Sequence, residues 1–340
     1  MKQALTAALR TVIYADAPDP GAPREGEALL EIESVGICGS DIAMWAGTDP
    51  YSTFPVRQGH EFSGRIREFG PGYEGPLQTG QLVAVEPLLP DGTCIACRRG
   101  RPNCCRNLRV FGAHLDGALT EQLIVPVRNL HAADRLTGDL AAFVEPISIG
   151  LQMVTRSGLV NGDRAVIFGA GPIGQAVQIA AGDRGARILA VDIVPGRLER
   201  ALANGAEAVV NSRMENTADR IADWTDDEGP AVVFEATGVA AILRTAIDVV
   251  APSGTVVVAG TSTDDVAIPT LAVVKKELNL LGSRNNTGLY PEAVRLVQTY
   301  RDRCEGLITQ HFGLDAVQEA MEFGEQNPAL ANKMMVRIHS

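Results

Sequence analysis

Long apolar runs are missing from this chain of 340 residues. Nothing in it approaches the roughly 18 consecutive apolar residues that a membrane-crossing helix needs. The segment Met1 to Arg10 carries one Lys and a short Ala/Leu stretch broken by Thr6, without the apolar core and small-residue cleavage site of a signal peptide. The chain therefore reads as cytoplasmic, with no membrane partner. Basic residues are in deficit: 30 Lys and Arg stand against 41 Asp and Glu, a net charge of −11, which argues against phosphate backbones and so against nucleic acid as a partner. Histidine is scarce, and a site that needs imidazole must draw on His60, His114, His131, His311 or His339. Cysteine is scarce too, with six in all. Cys94, Cys97, Cys104 and Cys105 cluster, while Cys38 and Cys304 stand alone; in a long, cytosolic-looking chain such a cluster reads as metal before disulfide. Internal repeats, heptad runs and low-complexity linkers are absent as well.

What is present is an alternation of two textures. The length exceeds what one hydrophobic core usually supports, so two domains are expected. From about Asn161, short apolar strands alternate with helical stretches, the pattern of βαβ units around a parallel sheet. Strands are expected at Arg164–Phe168, Arg187–Val191, Ala208–Val210, Ala231–Glu235, Thr255–Ala259 and Leu278–Leu281, and helices at 172–184, 195–204, 216–224 and 239–250. This predicts an α/β fold with a doubly wound dinucleotide-binding domain over 151–285. Residues 1–150 instead show alternating runs such as Leu30-Glu31-Ile32-Glu33 and Leu82-Val83-Ala84-Val85, broken by frequent Gly and Pro, which predicts a β-rich domain with long loops. Beyond about Gly288, the helical stretches Pro291–Arg301 and Asp315–Gly324 and the apolar run Met334–Ile338 have no sheet of their own. Their apolar faces must be buried elsewhere, so residues 286–340 are expected to return to the first domain and make it discontinuous.

One glycine-rich turn carries a specific chemistry. Gly169-Ala170-Gly171-Pro172-Ile173-Gly174 follows an apolar strand and opens a helix. In that context Gly169 permits the tight turn, Gly171 lets backbone N–H groups approach a pyrophosphate, and Gly174 lets the helix pack on the strand. The next strand ends at Asp192, where a carboxylate accepts from ribose hydroxyls and repels a 2′-phosphate, so NAD is expected over NADP. Arg197 is either a further cofactor contact or a solvated charge on the following helix.

Two sets of residues have metal-ligand chemistry. Cys38, His60 with Glu61, and Glu145 supply the thiolate, imidazole and carboxylate of a catalytic zinc site with one open position. Taken singly, each also has a packing reading. Asp91-x2-Cys94-x2-Cys97-x7-Cys105 wraps a short loop around one ion with a closed ligand shell, the pattern of structural zinc. Here an oxygen ligand stands where thiolate is more usual, and Cys104 competes with Cys105.

The order G-I-C-G-S-D (36–41), G-H-E (59–61), the four-ligand loop, V-E-P (144–146) and G-A-G-P-I-G (169–174) resembles the zinc-dependent medium-chain alcohol dehydrogenases over nearly the whole chain. Within them, Glu145 and the segment Lys275-Lys276-Glu277 to Gly282-Ser283-Arg284-Asn285 resemble the polyol and sugar-acid branch. The run Gly100 to Cys105 with Val110 to His114 is similar to the L-galactonate 5-dehydrogenase type. The resemblance implies a GroES-like catalytic domain and a Rossmann domain with the active site between them, two zinc ions per subunit, NAD, and a homodimer or homotetramer. It implies Cys38 and His60 as catalytic zinc ligands, Glu61 as ligand or close neighbour, and Glu145 binding directly or through water. Ser40 would receive the substrate proton and Asp41 would orient the ligands, while Thr237, Gly238, Gly260 and the Ser283 to Asn285 turn would approach the cofactor. Ser40, Trp45, His114 and Arg284 would meet substrate. Two positions and one segment depart from relatives: Ala43 where many carry a relaying His, Asp91 for a cysteine, and Ala118-Leu119-Thr120-Glu121-Gln122 at the pocket rim.

The expected activity is oxidation of a secondary alcohol on a sugar acid or polyol. Arg284 suits a carboxylate, though a structural ion pair is an equal reading. The competing activities are an amino-alcohol or vicinal-diol dehydrogenase on the same fold. A zinc-free reductase would dispense with Cys38, His60 and Glu145, and a non-catalytic NAD or zinc sensor would need no proton acceptor.

Overall fold

The computed structural model describes residues 1–49 and 53–339. The chain forms two compact units, one of Met1–Glu145 with the residues from Tyr290 onward, the other Pro146–Leu289. The junctions fall inside the helix Val144–Ser157 and at the start of the helix Tyr290–Thr299, a few residues from those read in the sequence.

In the second unit, six strands form a parallel sheet in the order 208–211, 187–192, 164–168, 232–235, 255–258, 279–282. Strands covered on both faces read as unbroken apolar runs, and Arg164–Phe168 and Val232–Glu235 do so, with Val166, Phe168 and Val233 in the core. Helices Pro172–Asp183, Pro195–Ala203, Thr217–Thr225 and Ala240–Val249 make the crossovers. Lys276, in a segment that carried the family resemblance, serves the fold directly. Its Nζ donates to the carbonyls of Ile247, Asp248 and Val250, closing the C-terminal end of the last of these helices.

The first unit is built on the long strand Glu27–Ile37. It pairs antiparallel with Glu61–Phe69 on one side, and on the other with Gln122–Pro126 and Lys333–Arg337 along different parts of its length. The sheet runs in the order 308–313, 333–337, 27–37, 61–69, 82–85, 130–132. The C-terminal segment thus supplies two of its strands, and Met334, Val336 and Met321 join its core with Leu30, Ile32 and Phe62. Among the described residues, no helix is long and apolar enough to cross a membrane.

Candidate metal and cofactor sites

The register of the first sheet places one group of ligands. Gly36 stands opposite Glu61 and beside Met335, so the ends of three strands meet just before Cys38. Cys38 caps the helix Gly39–Ala46, and its backbone N–H donates to Asp41 Oδ2 at 2.9 Å. Cys38, His60 and Glu61 each offer a ligand atom, all within 4.8 Å of one another. Asp41, 2% exposed, lies with Oδ1 3.5 Å from His60 Nδ1, and Gln58 Nε2 donates to the Asp41 carbonyl at 2.9 Å. A carboxylate behind a histidine fixes the ring orientation for a metal ligand. Burial disfavours the His60 imidazolium, yet the charge and hydrogen bond of Asp41 outweigh it, and the His60 pKa is raised well above its ordinary value.

Glu61 is held from behind. Lys333 Nζ donates to Oε1 at 2.7 Å and to Oε2 at 2.6 Å. Burial opposes the Lys333 charge, but Glu61 and Cys38 hold its pKa above the usual lysine value. Gly36 makes room for the pair, since a Cβ there would stand 2.2 Å from Glu61 Oε2. Glu145 is buried near this group without joining its ligand atoms. Burial first, and then the charge of Glu61, push its carboxyl up to about 7.

The second group is Asp91, Cys94, Cys97 and Cys105, again with all ligand atoms within 4.8 Å. Asp91 Oδ1 accepts from the N–H groups of Thr93 at 2.8 Å and Cys94 at 3.1 Å, and Oδ2 accepts from Asn107 Nδ2 at 2.7 Å. Those backbone donors hold the Asp91 carboxyl well below the usual range. The Arg106 N–H lowers the Cys94 thiol to about 7, while burial and the neighbouring thiols push Cys97 up to about 12. Three thiols and an ionised carboxylate around one point fit a tetrahedral ion with no open position. Cys105 belongs to the group, whereas Cys104 is exposed outside it and Cys304 is buried elsewhere.

In the second unit, Gly169 has φ +94, and a Cβ on Gly174 would lie 1.7 Å from its carbonyl oxygen. Gly171 is different. A Cβ there meets nothing nearer than Arg197 at 3.8 Å, so protein packing leaves a cradle that a bound group can fill at the N-terminal end of the helix Pro172–Asp183, which begins with Pro172 and Ile173. Asp192 Oδ2 accepts from Ala170 N–H at 2.8 Å, and Arg197 lies 3.7 Å from the same oxygen. Oδ1 accepts from Ile193 N–H at 2.7 Å and Val194 N–H at 2.9 Å. Glu235, 2% exposed, accepts from Thr237 N–H at 2.7 Å and Gly238 N–H at 3.0 Å, shaping the turn beside Gly260. Ser283 N–H donates to Val258 O at 2.8 Å, and Asn285 has φ +46.

The residues expected to meet substrate are dispersed in character. Ser40, His114 and Arg284 are exposed. Trp45 is 1% exposed within the hydrophobic core, with the Arg10 guanidinium 5.1 Å over its ring, so packing accounts for it. Lys333, Gln58 and Glu235 were not singled out from the sequence. Their only signals are one charge opening an apolar run, one polar residue before G-H-E, and one carboxylate closing an apolar strand.

The chain matches the alcohol dehydrogenase GroES-like domain over residues 24–135 and the zinc-binding dehydrogenase family over residues 172–299. It belongs to the zinc-binding alcohol dehydrogenases. The dehydrogenase is 32% identical to the L-galactonate-5-dehydrogenase of Escherichia coli strain K12, over 88% of each chain. A zinc-binding dehydrogenase of Sinorhizobium meliloti 1021 bound to NADP superposes with a TM-score of 0.91 at 29% identity, covering 99% of both chains. An alcohol dehydrogenase of Escherichia coli CFT073 complexed with NADH gives 0.90 at 28% identity, also over 99% of both. The dehydrogenase thus has a GroES-like unit and a Rossmann unit, and its chemistry depends on zinc and a nicotinamide dinucleotide.

Proposed function

We propose that this dehydrogenase oxidises a secondary alcohol on a sugar acid or polyol, with NAD in preference to NADP. The observation that carries the reading is the convergence of Cys38, His60 and Glu61 on one point. When bound, zinc supplies a Lewis acid to the alcohol oxygen and NAD supplies the hydride acceptor.

The chain's own residues do the rest. Cys38, His60 and Glu61 hold the metal, Asp41 keeps the His60 ring in orientation, and Lys333 keeps Glu61 in place. Glu145 is a buried carboxyl near these ligands, positioned to bind the metal directly or through water. Ser40 takes the hydroxyl proton at Oγ; it is exposed, so it passes that proton to water without the relaying histidine that Ala43 replaces. Asp91, Cys94, Cys97 and Cys105 hold a second, structural ion. Gly169, Gly171 and Gly174 admit the dinucleotide pyrophosphate, and Asp192 disfavours a 2′-phosphate by charge. Arg284, exposed and cationic, supports a carboxylate-bearing substrate, as does likeness to an L-galactonate-5-dehydrogenase.

The test is NADH formation across sugar acids, neutral polyols and amino alcohols with zinc present. Turnover restricted to amino alcohols or to simple diols overturns the substrate class, and tighter binding of NADPH than of NADH overturns the cofactor preference. Cys38→Ser, folded by circular dichroism, should lose turnover; full activity in that variant would remove the metal assignment. Arg284→Ala should raise KM for sugar acids more than for neutral polyols.

A further inference from the structure

The turn that follows the edge strand Asn279–Gly282 holds polar groups with nothing to bond. Asn286 is 1% exposed, and both its Oδ1 and Nδ2 are buried without a partner among the described residues, as are Ser283 Oγ and Thr287 Oγ1. The turn itself is well anchored. Ser283 N–H donates to Val258 O at 2.8 Å, and Thr287 N–H donates to Gln152 Oε1 at 3.2 Å. A buried, unpartnered amide costs about 1–3 kcal/mol, and folded proteins carry few such groups. Orphaned donors and acceptors at neighbouring positions on one pinned turn therefore call for a ligand.

The sheet order says which part of a ligand lies there. Asp192 ends the strand on one side of the Gly169 turn, and Val258 and Gly282 end strands on the other. A dinucleotide laid across the carboxyl ends of such a sheet has its adenosine half on the Asp192 side and its nicotinamide half on the side of Ser283 to Thr287. The nicotinamide carboxamide presents one carbonyl acceptor and one NH2 donor group, and a primary amide side chain is its reciprocal partner. We propose that the Asn286 side chain recognises the nicotinamide carboxamide, using the two polar atoms that the folded chain leaves unpaired. This rests on the cofactor reading above and adds a residue to it.

The test uses the full chain freed of nucleotide, titrated with NADH by fluorescence and with ADP-ribose, which lacks nicotinamide, by competition. Asn286→Leu should weaken NADH about tenfold, the loss of about one good hydrogen bond, and leave ADP-ribose affinity unchanged. It should also raise the Tm of the nucleotide-free protein, because an orphaned buried amide is replaced by an apolar group of similar size. Unchanged NADH affinity would mean that water or substrate satisfies the amide, and overturns the proposal. Equal weakening of NADH and ADP-ribose, or a lower Tm without nucleotide, would make Asn286 a structural residue and overturns it as well. Should the leucine variant not fold, Asn286→Asp keeps the size and removes the N–H donors; NADH selectively weakened supports the proposal, and NADH affinity retained rejects it. If the unmodified protein binds neither NADH nor ADP-ribose, the cofactor reading itself fails and this assignment falls with it.

Discussion

Lys333 Nζ donates to both carboxylate oxygens of Glu61, at 2.7 Å and 2.6 Å, across 272 positions of sequence. The two residues are only 2% and 1% exposed, so neither charge has water to turn to. A buried pair of this kind adds little over apolar replacements, but breaking it by removing one partner leaves an uncompensated charge.

In the metal-free protein, Lys333→Met should therefore be destabilising by about 3–5 kcal/mol in urea unfolding. Adding Glu61→Gln to it should recover much of that loss, since the stranded carboxylate is gone. A double variant no more stable than Lys333→Met would show that the lysine acts through packing instead.

Gly36→Ala tests the space on which Glu61 depends. Its Cβ would stand 2.2 Å from Glu61 Oε2, and overpacking of this kind typically costs about 1–3 kcal/mol. The carboxylate must swing away, so catalytic zinc should dissociate faster into a chromogenic chelator. A release rate equal to that of the parent would disconnect Glu61 from the metal.

Asp91→Ala removes a candidate ligand together with the acceptor of the Thr93, Cys94 and Asn107 hydrogen bonds. Zinc content should drop from two equivalents to one, matching the loss of one of the two ligand groups. Asp91→Cys should retain both equivalents and exchange the second more slowly. Unchanged content in Asp91→Ala would leave the three thiols as a sufficient site.

Asp139 offers a pH test away from the metal groups. Burial by itself would raise its carboxyl, but hydrogen bonds from Arg337 at 2.6 Å and Ser34 at 2.6 Å, with His311 at 2.9 Å, hold it below the usual range. A carboxyl depressed in the folded state stabilises above its unfolded value of about 4 and loses that contribution as pH falls through the folded value. Asp139→Asn should accordingly cost about 1–3 kcal/mol near neutrality. The gap from the parent should narrow in urea melts run below about pH 4. A gap independent of pH would assign the loss to geometry rather than charge.

The fold was largely legible. The six parallel strands sit within a residue or so of the runs read from apolar patterning; the four central ones, buried on both faces, leave nearly uninterrupted apolar runs, while the edge strand Asn279–Gly282 is largely exposed and was marked by its Leu pair alone. The loop from Asp91 to Cys105 stood out by its short spacing, whereas Cys38 and His60 lie 22 residues apart and were joined only by residue type and family resemblance, and Glu145, expected with them, falls outside their group. What was hidden is everything that acts through pairing over long distances. Lys333 is a single charge before an apolar run, and only strand register reveals that it faces Glu61. Glu235 looks like the end of a strand until its carboxylate is seen gathering the N–H groups of Thr237 and Gly238. Trp45 illustrates the reverse: an aromatic side chain near a motif draws a binding role on paper, while in three dimensions it fills the core under Arg10.

The strand Lys333–Arg337 also sets an order of assembly. Glu27–Ile37 and Glu61–Phe69 leave the ribosome well before the strand that covers the edge of Glu27–Ile37 and neutralises Glu61, which is made some 270 residues later. During synthesis the second unit, whose sheet is contiguous in sequence, can close while the first still has an open edge and an unbalanced buried carboxylate. The metal pocket is thus finished only once Lys333–Arg337 has been made, and through that interval the open strand edge and the unpaired carboxylate leave the nascent first unit exposed to misassembly.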